Sequence, residues 1–298
     1  MRLSEIGAGP RVRQMLVVAL ATSCLGAPAA AGPVSDADLV AHWDFQEGAG
    51  TSVKDVSGNG AEGAIVTPPQ SEARWGCGGV AQALSIAGGA HILVQPSNSL
   101  NALKRRITIA VAIEPRTLWP LSLPQRIWGK AKALLGIGSA RKGDRGFIAV
   151  VQRQWREAKH PDLFYLGYGW EKDTLNYKWH VGLVGAEPGL YRLPEGEKAP
   201  PLGKWVHLAG VYDGESGAMA LYVDGKPIGS ETIVGEMRID PESLNRPLII
   251  GGELNSASID DVENAFDGCI ADARIYARAL SADEIQELAA EAGTRLAR

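Results

Sequence analysis

Several things are scarce in this chain. Charged residues make up 21% of its 298 positions and the formal net charge is −4. No basic stripe is present, so the electrostatic footprint of a nucleic-acid binder is missing. Cysteine occurs three times and histidine five times. The histidines (His42, His91, His160, His180 and His207) show no metal-ligand spacing, and His42 and His207 read as packing residues of strands. No Cys-x-x-Cys pair, nucleotide-binding glycine loop or Ser-His-Asp motif occurs, and no later apolar run approaches membrane length. Disorder is excluded too, because 45% of the residues are hydrophobic.

The N-terminus reads as an export signal covering residues 1–31. Arg2, Arg11 and Arg13 precede an apolar stretch from Met15 to Gly26, and Ala29-x-Ala31 fits small-residue cleavage. A disordered tail is the plain alternative, and acylation at Cys24 a minor variant. The localisation expected is secreted, periplasmic or cell-surface. The mature chain, 32–298, then retains Cys77 and Cys269. An even pair in an exported protein points to one disulfide, the alternative being two buried thiols.

Thirty-six glycines and seventeen prolines imply many turns. Short alternating runs at 39–45, 83–86, 91–94, 107–113, 146–152, 205–212, 218–223, 248–252 and 269–276 read as strands. The runs either side of Gly88-Gly89 suggest a strand pair, and Asp224-Gly225 a two-residue hairpin turn. Ser281 with Glu284 forms a capping box that opens a helix towards Leu296. Strands do not alternate with helices, which argues against a parallel α/β fold.

Five stretches taken in order resemble laminin-G-like domains of secreted bacterial proteins, in the concanavalin A-like lectin/glucanase superfamily. They are LVAHWDFQEGAG from Leu39, DVSGNG from Asp55, GVAQALSI from Gly79, GKWVHLAGVYDG from Gly203 continuing to LYVDGK, and FDGCIADARIYARALS from Phe266. The resemblance covers about 39–288. It implies an all-β jelly-roll sandwich of two antiparallel sheets with a short C-terminal helix, the first and last strands lying in one sheet. The sequence departs from the family pattern at Ala112, where Trp is usual, and at Ala87 and Ala271, where acidic residues are usual.

The resemblance also implies a structural calcium near Asp55, Asn59 and Asp272, since Ca²⁺ takes six to eight oxygen ligands. A plain turn at 55–60 is the alternative, and the losses at Ala87 and Ala271 weaken the metal site. The richest functional hint is the aromatic segment 155–191. Trp155, Tyr168, Trp170 and Tyr177 are expected to face solvent and bind ligand, while other rings there pack in the core. The glucanase carboxylate motif has its nearest match at SIDDVE from Ser258. Ser258 occupies the first Glu position, so the catalytic pair is broken, and Asp260, Asp261 and Glu263 read as a solvated acidic loop. No catalytic residues are expected. The function expected is a secreted recognition module binding a carbohydrate or an extracellular protein. A glycan-active hydrolase or lyase with a diverged site and a structural or adhesive surface protein are the alternatives. Neither a nucleic-acid partner nor a membrane span is expected.

Overall fold

The computed structural model describes residues 34–117, 147–154, 162–171, 174–184, 200–238, 243–254 and 258–297. The N-terminal segment read as a signal lies outside these, and so do Cys24 and Trp155. Pro33–Arg298 forms one compact unit. Its described strands are β1 (Leu39–Trp43), β2 (Ser52–Val53), β3 (Gly63–Val66), β4 (Glu72–Cys77), β5 (Val80–Ala87), β6 (His91–Val94), β7 (Arg106–Pro115), β8 (Phe147–Gln154), β9 (Asp162–Glu171), β10 (Thr174–Val181), β11 (Val206–Asp213), β12 (Ala218–Val223), β13 (Lys226–Thr232), β14 (Leu248–Ile250), β15 (Glu253–Leu254), β16 (Val262–Glu263) and β17 (Gly268–Tyr276).

Two antiparallel sheets result. The eight-stranded sheet runs β13-β12-β11-β7-β17-β5-β4, with β1 also on β17. The seven-stranded sheet runs β10-β9-β8-β14-β6-β3-β2, and β15 pairs separately with β16. The first and last strands are neighbours, with His42 opposite Arg274 and Trp43 opposite Ala273. This is a jelly-roll sandwich, as the alternating strands require.

One pairing differs from expectation. β5 and β6, on either side of Gly88-Gly89, do not pair with each other but belong to different sheets. The turn carries the chain across the sandwich. Gly88 has φ of 67° and lies so close to the Gln70 carbonyl that a Cβ would meet it at 2.9 Å. A two-glycine link of this kind satisfies a sheet crossover as readily as a hairpin. The Asp224-Gly225 hairpin forms as read, both residues having positive φ, 49° and 75°.

The core comes from period-two alternation. Ile107, Ile109, Val111 and Ile113 of β7, with Ile270, Ala273 and Ile275 of β17, meet Phe164, Leu166, Trp179, Val181, Leu248 and Ile250 of the other sheet. Trp179 makes a tight inter-sheet contact. Its indole lies against Gly210, where a Cβ would approach to 2.5 Å, and its Nε1 donates to the Val211 carbonyl at 3.1 Å. On the outer face of the eight-stranded sheet, small residues such as Ala110 and Ala209 admit the C-terminal helix (Ala282–Leu296), which seats Ile285 and Leu288 there. Both bonds of the Ser281–Glu284 capping box are present.

Cys77 and Cys269 form a disulfide with Cα atoms 5.8 Å apart. It ties the edge hairpin β4–β5 to β17, and Arg116 Nη2 donates to Cys77 Sγ at 2.8 Å. The bond closes a long loop, so its removal is expected to cost about 2–5 kcal/mol. Replacing both cysteines by serine should therefore lower the urea midpoint, and a reductant should lower that of the unmodified protein by a similar amount. Unchanged midpoints would show that the bridge contributes nothing.

Candidate functional site

The same alternation that builds the core sets the chemistry of the outward face of the seven-stranded sheet. In β9, Phe164, Leu166 and Tyr168 point inwards, which leaves Tyr165, Gly167 and Gly169 for the other face. In β10, Tyr177, Trp179 and Val181 point inwards, leaving Asn176, Lys178 and His180. A β-bulge between Ala149 and Val151 in β8 puts Gln152 opposite Tyr165.

Register aligns these residues into three parallel rows. The first is Ile249, Gln152, Tyr165 and His180, on four adjacent strands. The second is Ala149, Gly167 and Lys178, and the third is Phe147, Gly169 and Asn176. The Tyr165 ring is stacked on His180, with centroids 4.9 Å apart and planes 12° apart, and tilted against Phe147 at 4.4 Å. Gly167 and Gly169 bear no side chain, so the side-chain layer thins to a shallow trough beside the aromatic cluster, and the Phe147 ring enters it at Gly167, 3.2 Å from where a Cβ would stand. Gly167 tolerates nothing larger, since a Cβ would lie 2.1 Å from the Ile148 carbonyl.

The trough is polar and shielded from water. Gln152 is fully buried, yet neither its amide oxygen nor its amide nitrogen has a protein partner, and the Asn176 Oδ1 is in the same state. A buried, unpaired amide costs about 1–3 kcal/mol. Such groups in a native fold mark a place where ordered water or a ligand completes the hydrogen bonds.

This arrangement corrects two of the ligand-binding assignments. Tyr168 and Tyr177 are cross-strand partners on the inward face, 0% and 6% exposed, and the Tyr168 hydroxyl donates to the Thr117 carbonyl at 3.1 Å. Burial pushes both phenols up from their ordinary pKa. They are core residues because β9 and β10 keep strict alternation with Phe164, Leu166 and Trp179. Trp170 stands opposite Leu175 in the β9–β10 pairing, and its side chain, like Trp155, lies outside the described residues. The outward residues were legible in principle: the Tyr-x-Gly-x-Gly alternation of β9 is itself a signal that one face is stripped of side chains. Asp260 is exposed as read, whereas Glu263 is half-buried in β16, opposite Glu253.

Asp55, Asn59 and Asp272 all gather around β1 but do not form an oxygen cage. Asp55 accepts backbone N–H bonds from His42 at 3.0 Å, Ser57 at 3.0 Å and Ala61 at 2.9 Å. Burial acts to raise its pKa, but these bonds and the Ser57 hydroxyl hold it below the usual carboxylate value. Asn59 turns its Nδ2 towards β1 and donates to the Leu39 carbonyl at 2.7 Å. The Asp272 carboxylate receives Arg274 Nε at 2.9 Å, Arg295 Nη1 and His42 Nε2 at 3.2 Å. Two guanidinium groups on one carboxylate do not fit a calcium ligand set. Among the described residues no group of three or more His, Cys, Asp or Glu side chains is placed to hold a metal.

The sequence matches the Concanavalin A-like lectin/glucanases superfamily over residues 139–286. The two-sheet jelly-roll topology above agrees with this match. Among curated proteins nothing matches the sequence. Domain 4 of a GH43 extracellular arabinanase from Geobacillus stearothermophilus, in complex with arabinotriose, has a similar fold, with a TM-score of 0.51 and 19% identity over 85% of this chain and 98% of that one. Trypanosoma rangeli sialidase in complex with sialic acid gives 0.52 and 16%, over 87% of this chain and 34% of the sialidase. A mutant of that sialidase displaying trans-sialidase activity gives 0.53 and 15%, over 88% and 34%. The chain thus spans nearly all of the arabinanase domain and about a third of each sialidase, and at these identities the likeness concerns the fold.

The polar cluster on the opposite sheet is expected to make the fold pH-sensitive. His207 of β11 is buried near Asp272, Asp224, Arg274 and Glu291. Burial pulls its pKa from 6.5 down to about 4, outweighing the two nearest carboxylates. Between those values the unfolded chain binds a proton that the folded one refuses, so stability falls as pH drops through the window. The loss should total about 3 kcal/mol. Burial lowers His91 as well, adding to the same slope. In urea titrations at neutral pH and near the lower end of the window, His207→Gln should lose most of the pH dependence. A variant with the full acid sensitivity would exclude His207 as its main source.

Proposed function

We propose that the protein is a recognition module that binds a carbohydrate in the trough on the outward face of the seven-stranded sheet. The supporting observation is the buried Gln152 amide, which is held without a protein partner next to the Tyr165–His180 stack. A primary amide presents one acceptor and two donors, the complement of vicinal sugar hydroxyls. The Tyr165 ring beside it, stacked on His180, is the apolar wall of this site. Asn176 supplies a second amide two rows away. A few convergent polar groups in a mainly apolar setting are what small-ligand sites share. The similar arabinanase domain was solved with arabinotriose, which makes a short oligosaccharide a natural first probe.

Secretion is part of this reading. A disulfide persists in oxidising compartments, and among the described residues no helix is long and apolar enough to cross a membrane. An extracellular setting fits both observations and the export-signal pattern at residues 1–31.

A glycan array probed with the full-length protein, including arabinan and sialylated oligosaccharides, tests the reading together with Gln152→Leu. Leucine has a similar volume and removes the unpaired amide. It should therefore weaken binding of whichever glycan the array identifies by at least about tenfold, the worth of one well-made hydrogen-bonded group. The same variant should melt no lower than the parent, because an orphaned polar group has been replaced by an apolar one. Failure of the parent to bind any glycan, or equal binding by the variant, rejects the assignment. Cleavage of the bound oligosaccharide would instead establish an enzyme.

A further inference from the structure

Three oxygen atoms on the outer side of the eight-stranded sheet converge on one side chain. Arg295, in the last turn of the C-terminal helix, places Nη1 on Asp272 Oδ2, and its Nη2 lies 2.6 Å from the Asp44 carbonyl and 3.1 Å from the Ala271 carbonyl. These oxygens come from the segment just after β1 and from the β17 bulge between Ile270 and Asp272. One planar guanidinium therefore joins the beginning of the domain, its last strand and its last helix. The side chain of Asp272 is 9% exposed and that of Arg295 is 23% exposed.

The surroundings are shaped for this residue. Ala112, Ala271 and Ala292 line a small cavity beside Arg295, together with Val80, Gln82 and Leu296. Ala112 is directly opposite Asp272 in the β7–β17 pairing. A large side chain at Ala112 or Ala271 would occupy the path of the guanidinium. The charge is also matched. Arg274 binds the other oxygen of Asp272 and is itself held by Glu291 of the helix, at 2.7 Å and 3.0 Å. With Arg274 and His42 already against Asp272, a divalent ion would meet two further donors and only three converging oxygens, where Ca²⁺ takes six to eight.

We infer that Arg295 is a tethered cation, filling within the chain a three-oxygen cation site and making this fold independent of calcium while fastening the C-terminal helix to the sheet. A guanidinium suits the site better than a spherical ion because its donors lie in one plane and diverge towards separate acceptors. The helix thereby becomes a permanent cover for this face. The Asp55 loop needs no metal for the same purpose, since three backbone N–H groups already satisfy its carboxylate.

The test is thermal melting of the full-length protein in millimolar calcium and in EDTA, for the parent, Arg295→Ala and Arg295→Met. The parent should melt at the same temperature in both buffers. Each variant should melt about 5–10 °C lower, the shift for losing one partner of a mostly buried ion pair in a domain of this size. Methionine keeps the apolar stem, so its deficit isolates the charge. Calcium should restore neither variant, because Arg274 and His42 remain at Asp272. Amide exchange should quicken across the helix in both variants. A parent that melts lower in EDTA, variants that melt with the parent, or recovery of either variant by calcium would overturn the inference. The buffer comparison stands on the parent alone should a variant fail to fold.

Discussion

Strand β17 holds three neighbours at once, and the rest of the sandwich is referred to it. It pairs with β7 along one side and with both β5 and β1 along the other. That triple pairing is possible because β1 and β5 share one edge of β17, β5 opposite residues 268–270 and β1 opposite residues 273–276. The β17 bulge at Ala271 lies close to the junction between them. A bulge leaves one residue unpaired and re-aims the side chains that follow. Here it brings Ala271 and Asp272 together on the outer face, where a regular strand would have sent one of them into the core. The disulfide and the Asp272 cluster lie on this one strand, and the C-terminal helix, seated on Ala110 of β7 and Ala209 of β11, reaches it through Glu291 and Arg295. Its nine residues are buried throughout, which is unusual for an antiparallel strand and explains why both of its faces need partners.

The two sheets solve the problem of their outer faces differently. The eight-stranded sheet presents small residues and receives an amphipathic helix, so apolar burial and an ionic clasp act together. The helix brings Ile285, Leu288 and Ala292 as its buried side, and Glu291 and Arg295 as the charged margin of the same side. The seven-stranded sheet presents amides, a stacked Tyr–His pair and two bare glycines. Its polar atoms are withdrawn from water without all being paired. A fold under selection for stability alone would have placed apolar groups at Gln152, as Ile249 and Leu93 are placed in the same cross-strand direction. An uncompensated amide beside an aromatic ring is a cost that ordered water or a ligand can offset and packing cannot.

Much of the fold was legible because it rests on local signals. The β7 run of β-branched residues, the Asp224-Gly225 turn, the Ser281 capping box and the Cys77–Cys269 pairing each depend on a few neighbouring residues or on one long-range pair. What was not legible is which strands are neighbours. Gly88-Gly89 looks the same whether the chain reverses within a sheet or crosses between two, and only the partners of β5 and β6 decide. The aromatic segment failed for a related reason. Tyr168 and Tyr177 are amphipathic enough to suit either face. Their direction is fixed by register against Trp179 and Phe164, and composition carries no record of register. The useful residues of that segment were its glycines and amides, which attract less attention than rings.

Ala112 and Ala271 looked like losses when compared with the family pattern, one of a core tryptophan and the other of an acidic residue. In the folded protein they stand together, next to Asp272 and beneath Ala292 of the helix. Two small side chains at one spot leave room for the helix, and Arg295 is the helix cation that faces Asp272 there. The helix residues that meet β17 at this spot, Glu291 and Arg295, are about twenty residues further along the chain than Asp272. No local pattern joins them to it. Sheet and helix are legible separately in the sequence, but the exchange of charge and volume between them exists only once the chain ends have met on β17.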